Sequence, residues 1–338
     1  MTAKEAVERF VHDGDTVVSA NFISSPPFAL THEIMRQRKK DLTIVKSSAL
    51  VEIDQLIAAG CVKKVMTAYI HRGPVHRYAS PFERAIKEKT IEFEDYSNWT
   101  IAARLMASMC GLPFMPLRGT SVMNSDLFEK RGAEGDKKFK VIKDPFYPKQ
   151  KVIVVPPLEP DVALIHGMRA DEQGNIQMWG PIGDCKMAAL ASKRIIATVE
   201  EIVPTEVIRS CPNLTIIPKH RSTAIIEEPW GAHPMDVIGY YDADMLYVAA
   251  VWYAVGTPEG QQAFLDEWVH GVKNRKEYIT HYVEKFGYEN LNKLKAKAYP
   301  SSAVNFGSSF LSVQQQRGIT EDDIINAPTL MEVEIEND

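Results

Sequence analysis

"DVALIHGMRADEQGNIQMWG", residues 161–180, is the stretch whose reading decides the fold. An apolar run from Val162 to Ile165 follows Asp161 and ends at His166, which predicts a buried strand. Asp171-Glu172-Gln173-Gly174-Asn175 has the composition of a turn. A second short run, Ile176 to Trp179, closes at Gly180. A buried strand that ends in a histidine and an arginine, turns, and returns to a tryptophan raises a question of chemistry. The spacing alone names none.

Upstream of this stretch, helical and extended patterns alternate. "TAKEAVERFV" (2–11) places Ala6, Val7, Phe10 and Val11 on one helical face, with Thr2 as N-cap. "TVVSAN" (16–21), "LTIVKS" (42–47), "VKKVMTAYI" (62–70) and "IEFEDY" (91–96) read as strands. Between and after them, "PFALTHEIMRQ" (27–37), "VEIDQLIAAG" (51–60), "SPFERAIKEKT" (80–90) and "NWTIAARLMASMCG" (98–111) read as helices, two of them stopped by Gly60 and Gly111. Such alternation predicts an α/β fold, with an open, mostly parallel sheet and helices on both faces. Residues 129–151 are polar and rich in Lys, Gly and Pro, and read as an excursion from the core. Beyond it "VIVVPPL", "RIIATVE" and "LTIIP" are further strands, with "DCKMAALAS" a helix among them. The region from about 243 to 297 is helical. The expected organisation is a single domain over 1–300 and a C-terminal extension over 301–338, whose end is acidic.

Composition narrows the function classes. The chain has 338 residues, 45% hydrophobic and 25% charged, enough for a large core. A net charge of −5 argues against a sequence-independent nucleic-acid footprint, which needs a basic face. The four cysteines, Cys61, Cys110, Cys185 and Cys211, form no CxxC pair. They are expected to be small buried hydrophobes in a reducing cytoplasm. No secretory h-region and no apolar run of about 18 residues is present, so neither a leader nor a membrane span is expected. "MLYVAAVWYAV" (245–255) reads as a core helix.

No dinucleotide-binding, P-loop, zinc-protease or nucleophile-elbow signature occurs. The candidates that remain are loops at one edge of the sheet, where parallel strands end and ligands bind. "NFISSPPF" (21–28) offers Ser24, Ser25 and a helix N-terminus to an anion, or else a plain capping turn. "KSSAL" (46–50) brings Ser47 out of the second strand in the same way. "HRGPVHR" (71–77) leaves the third strand. His71 and His76 there are a weak metal pair; a basic loop is the simpler reading, with Arg72 and Arg77 suited to a carboxylate or phosphate and His71, Arg72 and Gly73 the substrate-binding candidates. "RGTSVMNSD" (118–126) adds Arg118 and Gly119, or is a surface connection. "WGAHP" (230–234) is a tight turn or a ligand-lining one. Glu52, Glu94 and Glu200 are candidate bases by residue type only, and no metal site is expected.

Several blocks together resemble the family I coenzyme A-transferases, in particular the A (alpha) subunits of the glutaconate type. They are "EAVERFVHDGDTV", "PFALTHEIMRQRKKDLTIV", "EDYSNW", "GLPFMPLRG", "DVALIHGMRADEQGNIQMWG", "VEEIVPTEVIR" and "WGAHP", running in order from about residue 3 to 285 with the late "KNRKEYI". The resemblance implies the open α/β fold of that family. It implies that His166, Arg169 and Trp179 serve fold and subunit packing. It also implies a substrate, a coenzyme A thioester, with no tightly bound cofactor, and a B-type partner subunit in a heterotetramer or larger assembly. In the two-gene members the glutamate that carries the glutamyl-CoA intermediate lies on the B subunit, so no catalytic residue is expected here. A similar branch hydrolyses a carbon–carbon bond in a CoA thioester and has a glutamate where this chain has Asn98. A neutral amide orients by hydrogen bonds and cannot activate water as a base. The transferase reading is therefore preferred over a ring-opening hydrolase or decarboxylase, and over a non-catalytic acyl-CoA-binding subunit. "HRGPVHR" departs from the small polar residues of the glutaconate enzyme, which leaves the acyl group open.

Overall fold

The computed structural model describes residues 1–21, 24–49, 51–70, 80–118, 122–130, 132, 137–254 and 256–296, with the backbone alone at 246, 249 and 252–254. The extension 301–338 lies outside them, as do His71, Arg72, Gly73 and Gly119.

The alternating patterns near the N-terminus become β-α units. The strands are β1 (Thr16–Ser19), β2 (Leu42–Val45), β3 (Ser48–Ala49), β4 (Val62–Thr67), β5 (Tyr69–Ile70) and β6 (Glu92–Asp95). The helices are α1 (Ala3–Phe10), α2 (Phe28–Arg36), α3 (Val51–Ala58), α4 (Pro81–Glu88) and α5 (Asn98–Met109). Strands β1, β2, β4 and β6 pair side by side in parallel, while β3 and β5 form a separate parallel pair at their carboxyl ends. Helix starts follow local chemistry. Thr2 and Ser80 each form a capping box, with Glu5 and Glu83 respectively.

The excursion is a small unit of its own. Its strand β8 (Lys140–Lys143) joins β9 (Lys151–Val155) and, before the excursion, β7 (Met115–Arg118) in an antiparallel sheet, with the short helix α6 (Asp126–Glu129) beside it. The excursion thus contributes a paired strand, β8, which its polar composition hid. All four β8 residues are exposed, and an edge strand needs no apolar alternation.

The opening stretch forms β10 (Val162–Asp171) and β11 (Ile176–Gln177). The expected strand end at His166 is corrected: the strand runs on to Asp171. The reason is pairing. β10 is matched in parallel along its whole length by β12 (Arg194–Val203), so its backbone groups beyond His166 are still satisfied by a neighbour. On the other side β10 lies beside β1, and past the end of β1 its place is taken by β11 in an antiparallel hairpin. β11 continues to β13 (Thr215–Ile217), and β12 to β14 (Ala224–Glu227). Gly174, at φ +110°, makes the turn, and Asp171 Oδ1 accepts the N–H groups of Gly174 and Asn175 at 2.9 and 2.8 Å.

The sheet divides two cores by the two-residue alternation of its strands. Val17, Ile44, Val65, Leu164 and Ile196 face one cluster. It is completed by α1–α3 and by the C-terminal helices α9 (Met245–Ala254), α10 (Pro258–Phe264), α11 (Arg275–Phe286) and α12 (Tyr288–Leu294). Val18, Val45, Met66, Ile165 and Ala197 face the other, with α5 and α7 (Cys185–Ala191). A further short helix, α8 (Thr205–Ser210), follows β12. Cys61 and Cys185 are buried as expected, and burial pushes both thiols up to about 12. Cys110 and Cys211 correct the expectation: Cys110 caps the end of α5 and is exposed, and Cys211 is half-buried. Among the described residues no helix is long and apolar enough to cross a membrane.

Candidate functional site

The histidine of the opening stretch is fully buried, and its neighbours explain it. In the β10–β12 register His166 lies opposite Thr198, with Glu200 two residues further along. The imidazole Nδ1 meets Thr198 Oγ1 at 2.8 Å and Nε2 meets Glu200 Oε1 at 2.7 Å. Glu200 Oε1 also accepts the Tyr241 hydroxyl at 2.8 Å, and Oε2 accepts the Trp230 N–H at 2.8 Å. Burial alone would raise the Glu200 carboxyl. The His166 imidazole, the Trp230 N–H and the Tyr241 hydroxyl outweigh it and hold the group below its ordinary value. Both imidazole nitrogens and both carboxylate oxygens are occupied by protein, so the cluster fastens β10, β12 and the turn at 230–234. Arg169 Nε donates to Gln177 Oε1 at 2.8 Å, and its guanidinium lies over the Trp179 ring, locking the hairpin. These placements match the role in the fold that the resemblance assigned to His166, Arg169 and Trp179.

The turn "WGAHP" is likewise built into the core. Arg275, almost fully buried, donates to the carbonyls of Trp230 and His233. His233 packs among Trp230, Tyr247, Tyr278 and Tyr282. The plain-turn reading of this segment is the one the structure supports.

Of the three acids picked by residue type, each is engaged. Glu200 is described above; Glu94 Oε2 lies 3.1 Å from Lys64 Nζ; Glu52 Oε1 accepts Lys46 Nζ at 2.5 Å. Among the described residues none of these three is an open carboxylate ready to attack a thioester.

The carboxyl ends of β1, β2, β4 and β6 form the edge where ligands bind in such sheets. The described segments that follow these strands are the loop after β1, the loop after β2 and the start of α5. After β1, Ser24 Oγ donates to Asp236 Oδ2 at 2.6 Å and the Ser25 N–H donates to the Asp236 carbonyl at 2.8 Å. Both serines are buried, so their groups hold the loop to the 230–241 region and do not point into open space. After β2, Ser47 is nearly buried and its carbonyl accepts the Ala68 N–H at 3.2 Å. Its neighbour Ser48 reaches across and donates to Asn98 Oδ1 at 3.5 Å. Asn98 is exposed at the start of α5, beside Trp99, which is 53% exposed. The cap of that helix is Ser97, whose Oγ accepts the Thr100 N–H at 3.1 Å, so Asn98 is not consumed as a cap. Arg118 ends β7 on the exposed side of the small sheet.

The structure thus brings Ser48, absent from the serines singled out in the sequence, together with Asn98. It also places Lys46 and Glu52 directly behind them. No sequence signal pointed to the pair, because Lys46 follows a strand and Glu52 lies in a helix, so no single period relates them. Among the described residues no group of three or more His, Cys, Asp or Glu side chains could hold a metal ion.

Known proteins share both the sequence and the fold. A family model described as coenzyme A transferase matches residues 1–228. The chain is 36% identical to the A subunit of the 3-oxoadipate CoA-transferase of Pseudomonas knackmussii over 282 residues, covering 82% of this chain and 96% of that relative. It is 34% identical to the A subunit of the glutaconate CoA-transferase of Acidaminococcus fermentans over 306 residues, covering 87% and 94% respectively. The crystal structure of glutaconate coenzyme A-transferase from that organism superposes with a TM-score of 0.82 at 33% identity, over 89% of this chain and 96% of the other.

Proposed function

The chain belongs to the coenzyme A transferase family, and from that premise we propose that it is the A subunit of a heteromeric enzyme moving coenzyme A between an acyl-CoA and a carboxylic acid. The observation that carries this reading is the contact of Ser48 with the exposed amide of Asn98 at the carboxyl edge of the sheet, while Glu52, Glu94 and Glu200 are all held in pairs. Such an arrangement offers polar contacts to an acyl group and leaves the nucleophile to a partner.

The chemistry proceeds by covalent catalysis. A partner-borne glutamate attacks the acyl-CoA carbonyl and expels the CoA thiolate, leaving a mixed anhydride. The thiolate attacks the glutamyl carbonyl, releases the donor acid, and forms a glutamyl-CoA thioester. The acceptor carboxylate attacks that thioester and expels the thiolate again. The thiolate then attacks the acceptor carbonyl of the second anhydride and frees the glutamate. This chain contributes orientation. Asn98 and Ser47 on the sheet edge, Arg118 beside it, and His71, Arg72, Gly73 and Gly119 from the two loops outside the described residues form the proposed acyl-binding set. Ser24 and Ser25 shape the first loop through Asp236.

The test is co-purification with a B-type partner, followed by CoA exchange between succinyl-CoA and glutaconate or 3-oxoadipate. The single chain is expected to be nearly inactive and the complex active. Full transfer by the isolated chain, with glutamyl-CoA trapped on it, would overturn the partner-borne nucleophile. Asn98→Glu in the complex is expected to lower transfer by placing a charge beside anionic substrates. Unchanged transfer and unchanged thioester hydrolysis would remove Asn98 from the site. Arg72→Ala is expected to lower kcat/KM by about 1.5–3 kcal/mol through a lost charge-assisted bond, and an unaltered specificity constant would count against it.

A further inference from the structure

We infer that Lys46 and Glu52 are a positioning pair that holds the Ser48–Asn98 edge in register for the acyl group. The inference rests on the transferase reading above and adds two residues to it. Lys46 directly follows β2, and Glu52 lies in the first turn of α3, so the ion pair spans the loop that carries Ser47 and Ser48. The pair is buried, at 2% and 0% side-chain exposure. Ser19, the last residue of β1, closes a triangle: Lys46 Nζ lies 3.3 Å from Ser19 Oγ, and Ser19 Oγ lies 3.3 Å from Glu52 Oε1. Three elements are therefore tied at one point, the ends of β1 and β2 and the start of α3.

What the tie restrains is the loop between its two ends. Ser47 is anchored through its carbonyl to Ala68 N–H and to Thr67 Oγ1 on the β4 side. Ser48 projects from β3 onto Asn98. A shift of α3 relative to β2 would move Ser48 along that contact, which is already long at 3.5 Å. A loose loop therefore lengthens or breaks it. Glu52 Oε2 is buried and has no hydrogen-bond partner among the described residues. An aliphatic pair would avoid that desolvated oxygen, so stability alone does not account for charges at these positions.

Neither residue reaches solvent, so the role is positioning and not contact with substrate. The deciding variant is the double substitution Lys46→Met with Glu52→Met. It leaves no unpaired buried charge, and replacing a buried pair by apolar residues of similar volume is often neutral for folding. Glu52→Asp serves as the conservative variant. Each is prepared in the complex with the B-type partner. Two readouts are taken: amide hydrogen exchange at 47–49 and 98–100, and steady-state transfer from succinyl-CoA to glutaconate or 3-oxoadipate.

The double methionine variant is expected to keep the melting temperature of the parent. Exchange in the loop should accelerate by about tenfold, and KM for the acceptor acid should rise by about tenfold with a smaller change in kcat. Glu52→Asp should recover part of both losses. Unchanged exchange at 47–49 overturns the inference, and so does faster exchange with unchanged KM. If the parent complex moves no CoA between these probes or any other acyl-CoA and acid pair, the transferase reading fails instead, and the exchange data alone then decide whether the pair holds the loop.

Discussion

Glu200 and His233 are two buried titrating groups whose effects on stability carry definite signs. Glu200 is held below the ordinary carboxyl value against burial, by His166, Trp230 and Tyr241. Its contribution is present above the unfolded carboxyl range and is lost as pH falls through its folded value. Burial drives His233 down to about 4; Asp244, 3.6 Å away, offsets only part of this. Between an unfolded value of about 6.5 and that folded value, the unfolded chain binds the extra proton, so stability falls as pH falls. Urea unfolding from pH 7 to pH 4.5 should therefore show declining stability, and His233→Phe, which keeps an aromatic ring among the tyrosines, should flatten the decline. An equal slope in parent and variant would discount His233. Glu200→Gln should cost roughly 1–3 kcal/mol at pH 7, because an amide cannot accept at both of the positions where the buried carboxylate meets His166, Trp230 and Tyr241. A loss under about 1 kcal/mol would mean that the cluster relaxes around the amide.

At the scale of elements, close approach decides what the turn at 230–234 tolerates. A Cβ added to Gly231 would stand 2.5 Å from His166 Cε1 and 2.8 Å from the Glu228 carbonyl oxygen. The histidine is pinned by two hydrogen bonds and the carbonyl belongs to backbone, so neither neighbour gives way cheaply. Gly231→Ala is expected to destabilise by about 1–3 kcal/mol, the usual range for overpacking. Thermal unfolding with no shift would show that the turn can withdraw from β10. The hairpin itself was readable: Asp171 to Asn175 carries turn chemistry, and the structure uses those residues as such. The length of β10 was not, because its second half depends on β12, a partner about thirty residues away in the chain.

For the molecule as a whole, the three hydrophobic clusters are unequal. The two that flank the main sheet are large, whereas among the described residues the small sheet has Ala103, Leu117, Val122, Phe139, Ile153 and Val155 buried at its centre. Few apolar contacts and an exposed edge strand predict opening below the global unfolding energy. Amide exchange in β8 should outpace that in β10 and β12 by orders of magnitude, and equal protection would mean that the unit unfolds only with the main sheet. The small sheet carries Arg118 at the end of β7.

Sequence by itself determined the βα order, the helix start at Thr2 and the helix in Ser80's segment, the turn after Asp171, and the family. These are local: a period of two or of 3.6, a capping residue, or a run of short blocks in order is present in the chain before it folds. It also drew attention to Asn98 and to the loops at the carboxyl edge. Only the tertiary structure decided that Glu200 receives His166, that Ser24 and Ser25 are engaged by Asp236, and that Ser48 meets Asn98 with Lys46 and Glu52 behind it. Each of these depends on strand register or on which loops a parallel sheet brings to one edge. A polar side chain carries no mark of its partner in the sequence. The partner is chosen when backbone pairing sets two strands side by side and burial then demands that each polar group be satisfied.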